Sequence, residues 1–274
     1  MKIKPFYVTI MLSILIVPSF ASAEIIGKDF FDYPDGELYG KDGGKGWTRG
    51  VYSKTSWQRK DGSVNIQNGK LKTGYTSNIT RHFSKDSADA KKSGKVYVGL
   101  DIASTQDSQY KNGIHLVNSD NKSIAFFGTD VFNDNGNRTQ RWKISNTAYT
   151  KKNTDSWDVM RAVNNENIPR QFTEAVRIVA MIDLDNSKLS LWLQNDQGDF
   201  IENTPTATLD FRIDSGVKKE VAGITLGGLR EITTDNLIVA TTFSEAAIPE
   251  PATILILLGG SAGLIARRRK KTAA

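Results

Sequence analysis

The chain is 274 residues long, with 36 Lys and Arg against 30 Asp and Glu, a formal net charge of +6, and no cysteine. The cysteine count excludes disulfides, cysteine-ligated zinc, haem thioethers and thiol nucleophiles. Seven of the 36 cations are Lys2, Lys4 and Arg267 to Lys271; with Glu250 also set aside the remaining 29 face 29 acids, so the body is near neutral and the basic pI of 9.3 points to no nucleic-acid partner.

Lys2 and Lys4 lead into an apolar run from Phe6 to Phe20, and Ala21-Ser22-Ala23 follows as a small-x-small site. This order predicts a secretory signal peptide over residues 1–23, cut by signal peptidase after Ala23, with an uncleaved N-terminal anchor as the other reading. Residues 24–245 form the body, long enough for one large all-β core or two small ones.

The body opens with the turn-rich Tyr33-Pro34-Asp35-Gly36 and Gly43-Gly44-Lys45-Gly46-Trp47. Asn68-Gly69, between Ser63–Gln67 and Lys70–Lys72, predicts a type I′ hairpin. Val96, Val98, Leu100 and Ile102 share one strand face, and Ile114, Leu116, Ile124 and Phe126 continue the pattern. Val176, Ile178, Ala180, Ile182 and Leu184 make a long apolar face that turns at Asp185-Asn186-Ser187. Leu189, Leu191 and Leu193 then return, with Trp192 on the opposite face. Further strands are expected over 207–213, 221–226 and 236–242. Helical periodicity is confined to Ser87–Lys92 and Asp155–Val163, and Ser145–Phe172 reads as an irregular surface excursion. Period-two strands joined by Gly, Asn and Asp turns predict an all-β two-sheet sandwich, and no fixed repeat supports a propeller or solenoid.

Glycoside hydrolysis on a sandwich face needs paired carboxylates on alternate residues of one strand. No Glu here is followed two residues later by Asp. The histidines are His82 and His115, neither beside a Gly-x-Ser-x-Gly motif nor joined by a recognisable third zinc ligand. The stretch Asp130–Asn137 is rich in hard oxygen donors but fails EF-hand spacing and reads as a solvated turn. Trp57, Trp142, Trp157 and Trp192 are candidates for stacking on sugar rings, Trp192 foremost, against a packing role under loops. The flat Thr arrays of an ice-binding face are missing.

The tail reads Pro249-Glu250-Pro251, an apolar run of 15 residues from Ala252 to Ala266, then Arg267-Arg268-Arg269-Lys270-Lys271. The prolines keep the first peptide extended and accessible, and the cations hold the end on the cytoplasmic side. The run is shorter than the roughly 20 residues that cross a bilayer comfortably, which suits transient retention. This tail, residues 246–274, resembles the PEP-CTERM sorting signal. The resemblance implies a single transmembrane sorting helix, exosortase as a partner, the membrane as a transient station, and the cell surface or extracellular matrix as destination. An ordinary tail anchor is the alternative.

Lys28–Gly36, the Gly-rich run to Trp47, Asn68–Leu71, Leu189–Leu193 and Thr234–Phe243 resemble a concanavalin A-like, LamG-like jelly roll. That resemblance implies N- and C-terminal strands paired side by side and a structural calcium flanked by Asp29 and Asp235, with no other cofactor required. The function expected is a non-catalytic exported module with extracellular polysaccharide as partner. The alternative is a glycoside hydrolase-like enzyme with an atypical site.

Overall fold

The computed structural model describes residues 24–248, apart from 42, 45–46, 48–57, 75, 84–89, 105–111, 135–136, 148–159, 163–174, 195–197 and 229–230. Ala23, the sorting residues Pro249 to Pro251, Arg267 to Lys271, Trp57 and Trp157 lie outside the described residues.

The strands are β1 (Ile25–Asp29), β2 (Gly36–Glu37), β3 (Gln58–Asp61), β4 (Val64–Gln67), β5 (Lys70–Thr73) and β6 (Ser77–His82). Then come β7 (Lys95–Ser104), β8 (Asn112–Val117), β9 (Ser123–Asp134), β10 (Asn137–Asn146) and β11 (Met160–Ala162). The last are β12 (Val176–Asp183), β13 (Lys188–Leu193), β14 (Ala207–Asp210), β15 (Gly223–Gly228) and β16 (Ile232–Ala240), followed by the helix α1 (Phe243–Ala247).

They form two antiparallel sheets. The larger runs β14-β13-β12-β7-β16-β5-β4-β2, with β1 also on β16; the smaller runs β11-β10-β9-β8-β15-β6-β3. Strand β1 pairs antiparallel with β16 from Ile25↔Ala240 to Asp29↔Leu237, so the first and last strands lie side by side as expected. Ile178, Ala180, Leu191, Val98, Leu100 and Val239 of the larger sheet share one buried apolar cluster with Ile79, Ile114, Leu116, Ile224, Leu226 and Phe127 of the smaller. The two sheets therefore stack face to face, their central strands supplying alternate side chains to the shared core.

Local chemistry sets the clearest registers. Asn68 and Gly69 both take positive φ, +54° and +69°, the type I′ geometry that joins β4 to β5 with Ile66 opposite Leu71. Asp183 Oδ1 accepts from Asp185 N at 3.1 Å and Asn186 N at 2.9 Å, pinning the β12–β13 turn at the predicted place.

Elsewhere tertiary context overrides the local pattern. In β9, Ile124, Ala125 and Phe127 join the core, while Phe126 turns to the other face and stacks on His115 at 4.9 Å. A register shift between Leu116 and Val117, against Ala125 and Ser123, breaks the alternation that would have placed Phe126 inside. Asp130 lies in β9 and Asn137 in β10, so the oxygen-rich stretch is mostly paired strand rather than a loop. Residues 160–162 are strand β11 on β10, where a helix was expected over Asp155–Val163; the rest of that segment lies outside the described residues. Lys91, at the end of the other expected helix, forms a bridge with Val221. No helix among the described residues is long and apolar enough to cross a membrane.

Candidate functional site

The outer face of the smaller sheet, opposite the core, carries a set of neighbouring polar groups. Cross-strand register places Asn78, Gly227, Gly113, Gly128 and Lys143 in one row across β6, β15, β8, β9 and β10. The adjacent row is Thr80, Thr225, His115, Phe126 and Ser145. A Cβ at Gly227 would stand 2.1 Å from Ser77 O, one at Gly113 2.2 Å from Phe127 O, and one at Gly128 2.1 Å from Asn112 O. Only glycine fits where backbones approach that closely, so this row has no side chain at three positions, all three of them buried.

Polar groups border this row. Thr80 Oγ1 and Thr225 Oγ1 are 2.6 Å apart, and His115 Nδ1 lies 2.8 Å from Ser123 Oγ, which in turn lies 2.7 Å from Thr147 Oγ1. His82 Nε2 sits 2.6 Å from Asn121 Oδ1. Asp130 is ion-paired with the buried Lys143. A Ser–His contact is one element of a nucleophile–base pair, but Ser123 is shared with Thr147 and His115 is stacked on Phe126. Asn78, His115, Ser123, Asp130 and Thr147 are partly exposed, while Thr80, Thr225, Phe126, Lys143 and Ser145 are buried. Sequence reading placed His115 on the outer face but gave no sign of the glycine row, because cross-strand neighbours are set by pairing.

Asp29 faces the other way, into the core. Its Oδ2 accepts from Arg81 Nη1 at 2.5 Å and from the Tyr33 hydroxyl at 2.7 Å, and its Oδ1 accepts from Phe31 N at 2.9 Å. Arg81 also donates to Gly43 O at 2.6 Å, and its guanidinium lies over the Trp47 ring at 4.5 Å. Burial, then the Asp29 charge, pushes the Tyr33 hydroxyl well above the usual tyrosine range. The Gly-rich run before Trp47 thus closes over a buried ion pair.

Asp235 sits opposite Asp101 on the outer face of the larger sheet, just before the irregularity between Asp235 and Ile238. The two carboxylates expected to flank a calcium therefore lie on opposite faces of one sheet, and one of them is already engaged by Arg81. Their side chains therefore do not face a common point, and no group of three or more His, Cys, Asp or Glu placed to hold a metal ion occurs among the described residues. Burial, reinforced by Asp101, holds the Asp235 carboxyl above the usual carboxylate range. A raised folded-state value means the native protein keeps a proton that the unfolded chain has released. Stability thus falls as pH rises from the ordinary value through the raised one, and the deficit persists above it. Asp235→Asn should therefore melt above the parent at pH 8, with the gap closing towards pH 4; a parent that melts higher at pH 8 would contradict this placement.

Trp192 belongs to neither candidate surface. It is on the outer face of the larger sheet, as read from the sequence, but only 6 % exposed. Its Nε1 donates to Glu202 O at 2.9 Å, and its ring packs on Phe243 at 5.0 Å and Tyr97 at 6.2 Å. The expected sugar-stacking platform is closed by α1, and Trp192 anchors a second apolar cluster with Val179, Met181, Ile238 and Ala246. Trp142, also read as an exposed platform, is a core residue at 5 %.

The helix α1 is the last element before the sorting motif. Phe243 and Ala246 are buried, and Arg177 of β12 donates to Ala246 O through Nη2 and to Ala247 O through Nε, both at 2.7 Å. Asp101 accepts from Arg177 Nη1 at 2.9 Å. The described structure thus continues past the expected boundary at Glu245 as far as Ile248, which is 51 % exposed.

Residues 247–270 match the PEP-CTERM protein-sorting motif. No curated protein matches the chain. Among solved structures, a sialidase is similar over 72% of this chain and 18% of its own, at 10% identity and TM-score 0.37. The chain therefore spans under a fifth of that sialidase's length. Peanut lectin is similar over 71% of this chain and 94% of its own, at 12% identity and TM-score 0.37. A non-specific endo-β-1,3(4)-glucanase of family GH16 is similar over 80% and 91%, at 9% identity and TM-score 0.43.

Proposed function

We propose that the chain is an exported substrate of exosortase whose body is a non-catalytic, concanavalin A-like jelly-roll module that binds polysaccharide at the cell surface or in the extracellular matrix. The observation that carries this is the position of the sorting motif, which begins at Ala247, the last residue of α1. A tail that starts at the end of α1 leaves every described strand in the body after its removal.

The outer face of the smaller sheet supports the binding half. The partly exposed Asn78, His115, Ser123 and Thr147 of this face offer polar partners to a polyhydroxylated ligand, whereas Gly113, Gly128 and Gly227 beneath them are themselves buried. The non-catalytic half is supported by the carboxylate inventory. Hydrolysis takes a pair of carboxyl groups about 5–10 Å apart, whereas the described carboxylate beside the glycine row, Asp130, is tied to Lys143.

Fractionation of an exosortase-bearing host tests the proposal. The full chain should pass through the membrane and finish at the surface or matrix, and a chain ending at Ile248 should be released. The released body should be retained on extracellular polysaccharide and liberate no reducing ends. A full chain held permanently in the membrane at unprocessed mass would support a plain anchor. Reducing-end release abolished by one point substitution would support the enzyme reading.

A further inference from the structure

We propose that α1 is an exchangeable element. The slot it fills on the outer face of the larger sheet is a docking surface for the same helix of a second copy, and two bodies pair by trading α1. Exchange needs neither a particular ligand of the body nor the processing of the tail.

The slot is shaped for a helix of this sequence. Cross-strand register sets Trp192, Val179 and Gly99 side by side, with Met181 and Tyr97 paired on one flank and Arg177 and Asp101 on the other. A Cβ at Gly99 would stand 1.8 Å from Ala246 O, so glycine is what lets the helix backbone come this close. Phe243 fills a notch among Trp192 at 5.0 Å, Phe200 at 5.9 Å and Tyr97 at 6.2 Å. Arg177 donates to Ala246 O through Nη2 and to Ala247 O through Nε, both at 2.7 Å. Those carbonyls end the helix and have no partner within it. Two buried anchors three residues apart, with donors for the helix end, are how a groove recognises a short helix. A second copy carries the same helix, so its α1 matches the slot contact for contact.

These contacts, rather than the helix itself, keep α1 in place. Five residues are too few for a helix that is stable alone. Its backbone bond from Ala246 N to Thr242 O is long, 3.5 Å, and Thr242 supplies no side-chain cap. The hinge is short. Thr241 is fixed in the sheet, its N–H donating to Glu24 O at 2.9 Å and its hydroxyl accepting from Glu24 N at 3.0 Å. Thr242 alone therefore turns the chain from β16 into α1. It is extended, with φ −126° and ψ 152°, like the strand before it. Continuing that strand through Phe243 carries α1 off its own sheet with both sheets intact, the kind of local opening a folded domain samples. A terminal element on a short hinge is the setting in which copies trade elements. Exchange replaces each contact in kind, and the closed helix competes at an effective concentration of about millimolar. Pairing is therefore expected where chains are concentrated.

The test is size-exclusion chromatography with light scattering on the exported chain ending at Ile248, which keeps every described strand and α1. Phe243→Ser leaves the slot empty, and Gly99→Leu closes the slot while leaving the helix whole. Mixed at roughly millimolar concentration, the two variants should form a one-to-one heterodimer, at least about five-fold more abundant than the dimer either forms alone. The parent at the same concentration should dimerise. Three glycines inserted after Thr242 let each helix close on its own body, and should lower the parental dimer at least about three-fold. Circular dichroism and tryptophan fluorescence report whether each variant is folded. Folded variants that stay monomeric when mixed would overturn the exchange, and so would a parental dimer that Gly99→Leu leaves unchanged, since that dimer uses another surface. Should a point variant fail to fold, the parent and the insertion decide: a monomeric parent, or a dimer the insertion does not weaken, overturns it equally.

Discussion

Replacing Arg81 by methionine should destabilise the body, residues 24–248, by about 3–5 kcal/mol, the usual cost of removing one partner of a buried ion pair. Asp29 is 1 % exposed and Arg81 fully buried, with 2.5 Å between their charged atoms. Methionine keeps much of the volume but leaves the Asp29 carboxylate in the core without its cation. It also strips Gly43 O of its donor and the Trp47 ring of its cation. For a domain of this size, that loss lowers the melting temperature by roughly 6–20 °C. Urea unfolding followed by tryptophan fluorescence would measure it. Removing both charges, as Arg81→Met with Asp29→Leu, should cost less than Arg81→Met alone, since no buried charge is then stranded. A loss under about 1 kcal/mol for the single change would mean that the Gly-rich segment and β1 are held by their apolar contacts alone.

That ion pair also marks where sequence reasoning stops. Asn68-Gly69 was legible because a two-residue type I′ turn is a local property, fixed by which residues tolerate positive φ. The faces of β7, β12 and β13 were legible because apolar residues repeat with period two. Asp29 and Arg81 are separated by 52 positions, and nothing local to Asp29 tells whether its partner is a guanidinium or a metal ion. The calcium expectation was drawn from resemblance, and the structure places Arg81 against the Asp29 carboxylate. Trp192 shows the same limit in another form. Alternation put it on the correct face, but the burial of that face depends on α1, whose five residues are too few to display helical periodicity. Phe126 failed for a third reason: an irregularity in strand pairing, invisible in one strand alone, exchanged it with Phe127.

The candidate surfaces divide along the same line. The tail was readable because its three parts act through composition and order, which a sequence states directly. The glycine row was not. Gly113, Gly128 and Gly227 are far apart in the chain and become one row only through the β15–β8–β9 register. Sites built by pairing across a sheet are read from structure, and sites built along the chain from sequence.

Replacing Pro249, Glu250 and Pro251 together by alanine should leave export intact and stop maturation, with mature protein falling at least ten-fold. Residues 1–23, read as the signal peptide, are unchanged. The apolar run and Arg267 to Lys271 still hold the chain in the membrane in the same orientation. What changes is the peptide between them. Proline is about 3 kcal/mol worse than alanine inside a helix, so two prolines disfavour a helical peptide here. Three alanines favour helix from α1 into the apolar run and withdraw the accessible backbone, while the Glu250 carboxylate is lost as well. The precursor should accumulate in the membrane at the mass set by signal-peptide removal alone. Glu250→Gln separates the two contributions, because it keeps the extended backbone and deletes only the charge. Partial maturation of that variant would assign recognition chiefly to backbone shape, and a full block would assign it to the carboxylate. A triple variant that matured to the parental mass would show that the enzyme reads neither, and that the apolar run and basic end suffice.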